Sequence, residues 1–204
     1  MSKVKFCGIT RDQDAQAAVR LGVDAVGFVF AASSLRFISP EQAAIMRGRL
    51  PATVQAVALF RNPAEAEVRR VIELIAPDLL QFHGEETPGF CEKFGLPYWR
   101  AVPMGGVVDL GAWERRFASA AALLLDAHAP AQAGGQGRTF DWSAIRATRP
   151  YVLAGGLNPA NVGEAVKQLR PWMVDVSTGI ESAPGLKDEA KMRQFIDSVR
   201  RANP

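Results

Sequence analysis

The stretch Tyr151-Val152-Leu153-Ala154-Gly155-Gly156-Leu157-Asn158-Pro159 is followed along the chain by Met173-Val174-Asp175-Val176-Ser177-Thr178-Gly179-Ile180-Glu181. In each stretch a short apolar run of strand length breaks into glycine, which leaves backbone N–H groups free to approach an anion. Asn158 with Pro159 can also serve as the N-cap and first residue of a helix. Either loop alone could be an ordinary tight turn. Two such loops, in this order near the C-terminus, are typical of the phosphate site after strands seven and eight of a (β/α)8 barrel.

Eight apolar runs of strand length are spread over the chain. They are continuous rather than alternating, as is typical of parallel strands that are covered on both faces. We predict strands at Val4–Cys7, Ala25–Phe30, Val54–Phe60, Asp78–Phe82, Pro97–Val102, Ala121–Asp126, Pro150–Ala154 and Met173–Ser177.

Helix starts are indicated between these strands. A capping box has a characteristic spacing of three residues, which is found for Thr10 with Gln13 and for Ser39 with Gln42. Proline just inside a capped helix is a second signal, and it occurs at Ser39-Pro40, Asn62-Pro63, Thr87-Pro88 and Asn158-Pro159. Apolar residues recur at helical spacing after most of these starts. The fifth and sixth helices are expected around residues 113–117 and 142–145.

The order of these elements predicts the fold. Strict alternation of strands and helices implies right-handed crossovers and one parallel sheet. Eight units favour closure, so the predicted fold is a single α/β domain over residues 1–204, a (β/α)8 TIM barrel. An open, doubly wound sheet is the alternative, but no Gly-x-Gly-x-x-Gly follows the first strand, where a dinucleotide fold would place it.

Composition excludes several classes of protein. The chain has 204 residues, 48% hydrophobic and 22% charged, and no apolar run approaches the ~20 residues needed to cross a bilayer. The N-terminus enters a strand pattern directly, without a secretory signal, and two cysteines make no disulfide framework, so a cytoplasmic location is expected. The net charge of +3 is scattered among acidic residues. Neither nucleic acid nor a membrane is therefore an expected partner.

Two residues at predicted strand ends have the chemistry of a base and an acid. The active site of such a barrel lies at the C-terminal strand ends, where Cys7 ends the first strand and Asp126 the sixth. A thiolate accepts protons once basic groups or helix dipoles favour its ionised form, and a carboxyl group in an apolar environment can stay protonated. The alternatives are a buried apolar role for Cys7 and a loop cap for Asp126.

Other polar residues are candidates for substrate contact. Arg36 follows the second strand, where a guanidinium can bind a carboxylate in a bidentate pair, although a solvated surface arginine is the alternative. His83 ends the fourth strand and has either a substrate-binding or a structural role, whereas His128 is expected only to line its loop. The histidines and Cys91 lack zinc-ligand spacing, and there is no P-loop or Gly-x-Ser-x-Gly elbow. We therefore expect proton transfer on a phosphorylated ligand, with no metal and no cofactor.

Read together, several motifs resemble those of the phosphoribosylanthranilate isomerase family of tryptophan biosynthesis, nearly from end to end. Each is weak alone, but the ordered set is specific. The motifs are Lys5-Phe6-Cys7-Gly8-Ile9-Thr10, Gly27-Phe28-Val29-Phe30, Ser34-Leu35-Arg36-Phe37-Ile38-Ser39, Gln81-Phe82-His83-Gly84, Gly134-Gly135-Gln136-Gly137 with Phe140-Asp141-Trp142, and the two stretches quoted first.

The resemblance implies an Amadori rearrangement of N-(5-phosphoribosyl)anthranilate, a small phosphorylated aminosugar, to the matching 1-deoxyribulose phosphate. It implies that Cys7 is the general base, Asp126 the general acid, and Arg36 the residue that holds the anthranilate carboxylate. It places the phosphate on the loops that contain Gly155, Gly156, Ser177 and Gly179. Either a monomer or a homodimer is compatible with it.

Two departures and three alternatives accompany this resemblance. Leu35 stands where the family usually has proline, which bears on the placement of Arg36, and Gln136 stands where threonine is common, which bears on loop closure. A histidine-pathway isomerase would carry aspartate in place of Cys7 and two related halves. An indole-glycerol-phosphate synthase would have an early lysine acid and an N-terminal extension. A regulatory barrel without activity would have lost Cys7 or Asp126.

Overall fold

The computed structural model of the protein describes residues 1–128 and 139–203. Eight parallel strands follow one another around a closed barrel in chain order, and β1 closes it by pairing with both β2 and β8. The strands are β1 (Lys3–Cys7), β2 (Ala25–Val29), β3 (Gln55–Phe60), β4 (Leu79–Phe82), β5 (Tyr98–Pro103), β6 (Ala122–Asp126), β7 (Tyr151–Leu153) and β8 (Met173–Val176). The predicted barrel is confirmed, and every strand ends within one residue of its predicted limits.

Helices cover the outside of this barrel. Within the described ranges they are α1 (Asp12–Leu21), α2 (Pro40–Arg47), α3 (Glu65–Ile75), α4 (Pro88–Glu92), α5 (Leu110–Arg116), α6 (Val162–Leu169) and α7 (Glu189–Ala202). A short antiparallel pair, β9 (Glu181–Ala183) and β10 (Leu186–Lys187), precedes α7. No helix in these ranges is long and apolar enough to span a bilayer.

The predicted sixth helix is wrong. Residues 139–150 contain only a 3-10 turn, Trp142–Ala144, in which Asp141 accepts a hydrogen bond from the Ser143 N–H. The next backbone N–H groups are used in tertiary contacts, because Thr148 N and Arg149 N donate to the Glu114 carboxylate at 2.8 and 3.1 Å. These contacts hold the chain in a non-helical path into β7.

Side-chain hydrogen bonds decide which predicted helix starts are correct. The capping box of Ser39 and Gln42 is present at α2, and Thr87 caps α4 ahead of Pro88. Two other predicted caps, Thr10 and Asn62, are wrong because the polar side chain bonds elsewhere. Thr10 Oγ1 donates to a carbonyl between β9 and β10 at 2.5 Å.

Asn62 is the second wrong cap, whereas Asn158 makes the hydrogen bonds of an N-cap. Asn62 has a left-handed φ of 51°, and its Oδ1 accepts from a backbone N–H in the loop after β4. Asn158 Oδ1 accepts from the Ala160 and Asn161 N–H groups at 2.9 and 3.2 Å, and the Val162 N–H donates to the Asn158 carbonyl at 3.1 Å. These bonds form the turn that leads into α6, which begins three residues after Pro159 with Asn161 as its N-cap. Asn62 therefore shapes a loop, and Asn158 caps the turn that leads into a helix.

Apolar side chains fill both the barrel interior and the layer between strands and helices. At the N-terminal end of the interior, Trp99 meets Trp172 edge to face with ring centroids 5.9 Å apart. The predicted helical stripes, such as Val68, Val71 and Ile75 of α3, are buried against the strands. The apolar interior closes the N-terminal end, so polar chemistry is confined to the C-terminal strand ends.

Ser2 and Asn203 meet beside β1 and β8. Ser2 N donates to Asn203 Oδ1 at 2.7 Å, and Ser2 Oγ donates to the Pro171 carbonyl at 2.6 Å. The segments before β1 and after α7 therefore contact the same part of the barrel wall.

Candidate active site

A cavity of about 340 Å³ lies at the C-terminal ends of the strands. Seven of the eight predicted site residues line it, namely Cys7, Arg36, His83, Asp126, Gly155, Gly156 and Ser177. Gly179 does not. A Cβ on Gly179 would collide with the Leu157 carbonyl oxygen, so this glycine allows the loops after β7 and β8 to pack together.

Cys7 ends β1 on the inner wall of this cavity, where it is buried. Burial raises the pKa of the Cys7 thiol above its ordinary value of 9.0, although the charges of Lys5 and Lys187 act to lower it. The expected influence of basic groups is therefore present, but desolvation outweighs it. In the ligand-free protein at neutral pH, the thiol is the main form.

Asp126 ends β6 and contacts two imidazoles. Its Oδ2 lies 3.0 Å from His83 Nε2, without the geometry of a hydrogen bond, and 3.6 Å from His128 Nδ1, which is too long for one. Burial alone would raise the pKa of Asp126, but the contacts with His128 and His83 hold it well below its usual range. The expectation of an apolar environment that keeps Asp126 protonated is wrong, because imidazoles cover the carboxylate. His128 also contacts this carboxylate, beyond its expected role in the loop.

Arg36 already has a carboxylate partner within the protein. Its Nε and Nη2 donate to the two oxygens of Glu181 at 3.2 and 2.7 Å. Glu181 also accepts from Lys187 Nζ at 2.9 Å, and despite its burial these two cations lower its pKa. Arg36 therefore forms a bidentate pair within the protein and lines the cavity from a fixed position.

The loops after β7 and β8 form another part of the cavity wall. Gly155 and Gly156 have left-handed φ values of 81° and 66°. A Cβ on Gly155 would lie 2.9 Å from Asp126 Oδ1, so glycine lets this loop pass close to the carboxylate. The carbonyl and hydroxyl oxygens of Ser177 accept from Lys187 Nζ at 3.1 and 3.3 Å. The glycine-rich segment 134–137, including Gln136, lies outside the described residues.

Within residues 1–128 and 139–203, His83, Asp126 and His128 are the one group of metal-ligating side chains whose donor atoms converge, all within 4.8 Å. On the other side of its ring, His83 Nδ1 lies 3.3 Å from Gln81 Nε2. Such a group can bind a divalent ion or share a proton. With a thiol lining the same cavity, it can take part in acid–base chemistry.

The family model described as N-(5'phosphoribosyl)anthranilate (PRA) isomerase matches residues 4–198. The chain belongs to this family. The match includes the whole of β2 to β8 and all but the first residue of β1. The resemblance seen in the sequence motifs is therefore confirmed.

Proteins of similar sequence and structure support this assignment to the PRA isomerase family. The N-(5'-phosphoribosyl)anthranilate isomerase of Stenotrophomonas maltophilia (strain R551-3) is 50% identical over 206 residues, which cover 99% of this chain and 94% of that protein. The solved phosphoribosyl anthranilate isomerase of Thermotoga maritima has 40% identity and a TM-score of 0.88, covering 98% of this chain and 100% of that one. Another solved isomerase is in complex with reduced 1-(o-carboxyphenylamino)-1-deoxyribulose 5-phosphate; it has 36% identity and a TM-score of 0.82, with coverage of 98% and 100%.

Four buried charged residues at this PRA isomerase site were missed in the sequence, namely Lys5, Asp175, Glu181 and Lys187. For Lys5 a signal existed, because residues two apart on a strand share a face and Lys5 precedes Cys7 by two. Lys187 gave no such signal, because its contact with Ser177 depends on the small hairpin of β9 and β10.

Proposed function

We propose that this protein is an N-(5'-phosphoribosyl)anthranilate isomerase of tryptophan biosynthesis. It converts N-(5-phosphoribosyl)anthranilate to 1-(2-carboxyphenylamino)-1-deoxyribulose 5-phosphate by an Amadori rearrangement. The observation that carries the proposal is one cavity that contains the Cys7 thiol, the Asp126 carboxylate and the glycine loop after β7. Family membership and the ligand bound to a structural relative support the same substrate.

Substrate binding uses two ends of the cavity. The phosphate binds to backbone N–H groups around Gly155, Gly156 and Ser177, where left-handed glycines allow close approach. The anthranilate carboxylate faces Arg36, whose guanidinium is oriented by Glu181. The ribose then lies between Cys7 and Asp126.

Asp126 carries out the acid step. Its carboxyl group gives a proton to the furanose ring oxygen, the bond between C1 and that oxygen breaks, and the nitrogen lone pair forms a protonated Schiff base with C1. The imidazoles keep Asp126 ionised in the ligand-free protein. We propose that the anionic substrate favours its protonated form by adding negative charge to the cavity.

Cys7 carries out the base step. The thiolate removes the proton from C2, which the adjacent protonated Schiff base has made acidic, and the electron pair moves to give an enol-amine. A proton is then added at C1 and the C2 hydroxyl loses its own, which leaves the ketone. No atoms are gained or lost overall, as an isomerisation requires.

A fluorescence assay tests the proposed activity. Purified protein is incubated with freshly prepared phosphoribosylanthranilate, and the loss of anthranilate-type fluorescence is followed. We expect loss that depends on enzyme concentration. No loss would favour a barrel without activity, and turnover of the histidine-pathway aminoaldose alone would favour that isomerase.

Gly156→Val is expected to raise KM at least about tenfold, equivalent to about 1.4 kcal/mol of binding. Gly156 has a left-handed φ of 66°, which valine adopts only with strain, and a side chain there would keep phosphate from the backbone. The measurement is KM together with the affinity for a phosphorylated product analogue. Gly95→Val is the matched control, since Gly95 has a similar left-handed φ of 68°, does not line the cavity, and has no neighbour within 4 Å of a Cβ. Normal analogue affinity in a folded Gly156→Val protein would contradict the phosphate assignment.

Arg36→Met is expected to lower kcat/KM. Expressed as a free energy of transition-state binding, the loss should be about 2 to 5 kcal/mol, the range for truncating one partner of a buried charge pair. The comparison substrate carries a ring without the carboxylate, and it should lose little. Because the variant also removes a partner of Glu181, this second substrate separates carboxylate binding from a general disturbance. Equal losses for both substrates would show that Arg36 has another role.

A further inference from the structure

A buried ion pair lies beside Cys7 that the proposed reaction does not use. Lys5 Nζ of β1 donates to Asp175 Oδ1 of β8 at 2.9 Å, and their side chains are 0% and 8% exposed. Taking two charges out of water costs several kcal/mol each, and a buried pair often stabilises a protein no more than apolar residues would. A role other than stability is therefore expected for this pair.

Lys5 and Cys7 project from the same face of β1, because they are two residues apart. Gly27 of β2 is the register partner of Cys7. A Cβ built on Gly27 would lie 2.9 Å from Cys7 Sγ and 3.1 Å from Lys5 Nζ. Because both atoms lie close to the same position beside Gly27, Cys7 Sγ and Lys5 Nζ are within about 6 Å of each other. At this distance a cation favours the ionised form of a neighbouring acid.

We infer that Lys5 is a positioning residue whose ammonium stabilises the Cys7 thiolate during the base step, and that Asp175 holds Lys5 in place while partly opposing its charge. This inference rests on the base role proposed for Cys7. Lys5 is not itself the base. Burial acts to lower its pKa, but Asp175 and Cys7 raise it further, so Lys5 stays protonated.

Other charged groups also surround Cys7. Lys187 lowers the pKa of Cys7, but its ammonium is shared between Glu181 and the Ser177 oxygens. Arg36 packs on Gly8 next to Cys7 and is paired with Glu181. Asp126 and His83 also line the cavity and are paired with each other. Lys5 exerts the largest stabilising charge effect on the Cys7 thiolate, and Asp175 the opposing one.

The test is the pH dependence of alkylation of Cys7 by iodoacetamide, followed by mass spectrometry. Thiolate is the reacting form, so the midpoint reports the pKa of Cys7 independently of isomerase activity. All variants carry Cys91→Ser, because Cys91 is the only other cysteine; it is buried, with its pKa raised to about 12. Glu189→Gln, which breaks an exposed pair with Arg20 on the outside of the barrel, is the matched control.

Opposite shifts are expected from the two partners. Asp175→Asn should move the midpoint to lower pH, and Lys5→Met should move it to higher pH by about one unit, a tenfold loss of thiolate at a given pH. Lys5→Met leaves the buried Asp175 carboxylate unpaired, so the double variant Lys5→Met with Asp175→Asn is made as well. The double variant has no unpaired buried carboxylate at this site, and its midpoint should still be raised. Glu189→Gln should have none of these effects.

The possible outcomes separate the inference from the proposed function. Unchanged midpoints, or shifts in the same direction for Asp175→Asn and the double variant, would overturn the inference even if the wild-type protein isomerises phosphoribosylanthranilate. Opposite shifts in a protein without isomerase activity would support the influence of Lys5 on the thiol and contradict the proposed function alone.

Discussion

Cys7→Ser should lower kcat/KM by a factor of about 10²–10⁴, the usual contribution of a positioned acid or base. A serine hydroxyl is far less acidic than a thiol, so it cannot supply an anion to remove the C2 proton. The oxygen is smaller than the sulfur that borders Gly27, and the strand should therefore keep its conformation. Steady-state kinetics with circular dichroism provide the measurement.

Cys91→Ser is the matched control for this loss. Cys91 is buried on α4, outside the cavity, and its replacement should leave kcat/KM nearly unchanged. Iodoacetamide should likewise inactivate the protein through Cys7, and a phosphorylated product analogue in the cavity should slow that reaction. A folded Cys7→Ser protein with near wild-type turnover would require the base assignment to be abandoned.

Asp126→Asn is expected to produce a loss of the same size, about 10²–10⁴-fold. The amide keeps the shape of the carboxyl group and its contact with His83, but it has no proton to give to the ring oxygen. Kinetics are compared with the affinity for a product analogue, which should change much less.

Asp109→Asn provides the control for this substitution. Asp109 caps α5 by accepting from the Ala112 N–H, a role that asparagine also fills, so activity should be unchanged. If Asp126→Asn retained turnover, the proton donor would have to be His83 or His128 instead.

The pH profile of kcat/KM should show a broad plateau across neutral pH. In the free protein the main form has the thiol of Cys7 and the carboxylate of Asp126, whereas the reaction needs the thiolate and the protonated acid. The fraction with this reverse arrangement is constant between the two pKa values. It falls at acidic pH, below the lowered pKa of Asp126, and at alkaline pH, above the raised pKa of Cys7. The apparent values belong to the pair. A narrow bell around neutral pH would contradict this arrangement.

The barrel could be predicted because each strand is indicated by residues that are close together in the sequence. Parallel strands covered on both faces are continuous apolar runs, and eight of them are visible in the sequence. The cap at Ser39 is also local, since both partners lie within three residues. The predicted cap at Thr10 fails because its hydrogen-bond partner lies in the turn between β9 and β10, far along the chain. The predicted cap at Asn62 fails because its partner lies in the loop after β4.

Some features of the candidate site could likewise be predicted from the sequence, and others could not. Strand order brings Cys7 and Asp126 to one end of the barrel, so their shared location follows from the fold. Their protonation states do not, because they depend on side chains from other loops. His83, which contacts Asp126, comes from the end of β4. Glu181, which holds Arg36 in place, lies 145 residues after Arg36 in the sequence. Such pairings arise only when the barrel closes.

The pairing of β1 with β8 also affects the order of events during synthesis on the ribosome. β1 leaves the ribosome well before its partner strand β8, because 170 residues separate Lys5 from the Asp175 to which it bonds. Until then β1 has an exposed edge, and the lysine beside Cys7 has no carboxylate partner. A nascent chain therefore cannot complete this cavity until β8 has left the ribosome. The environment of the Cys7 thiol is thereby set only after β8 has been synthesised.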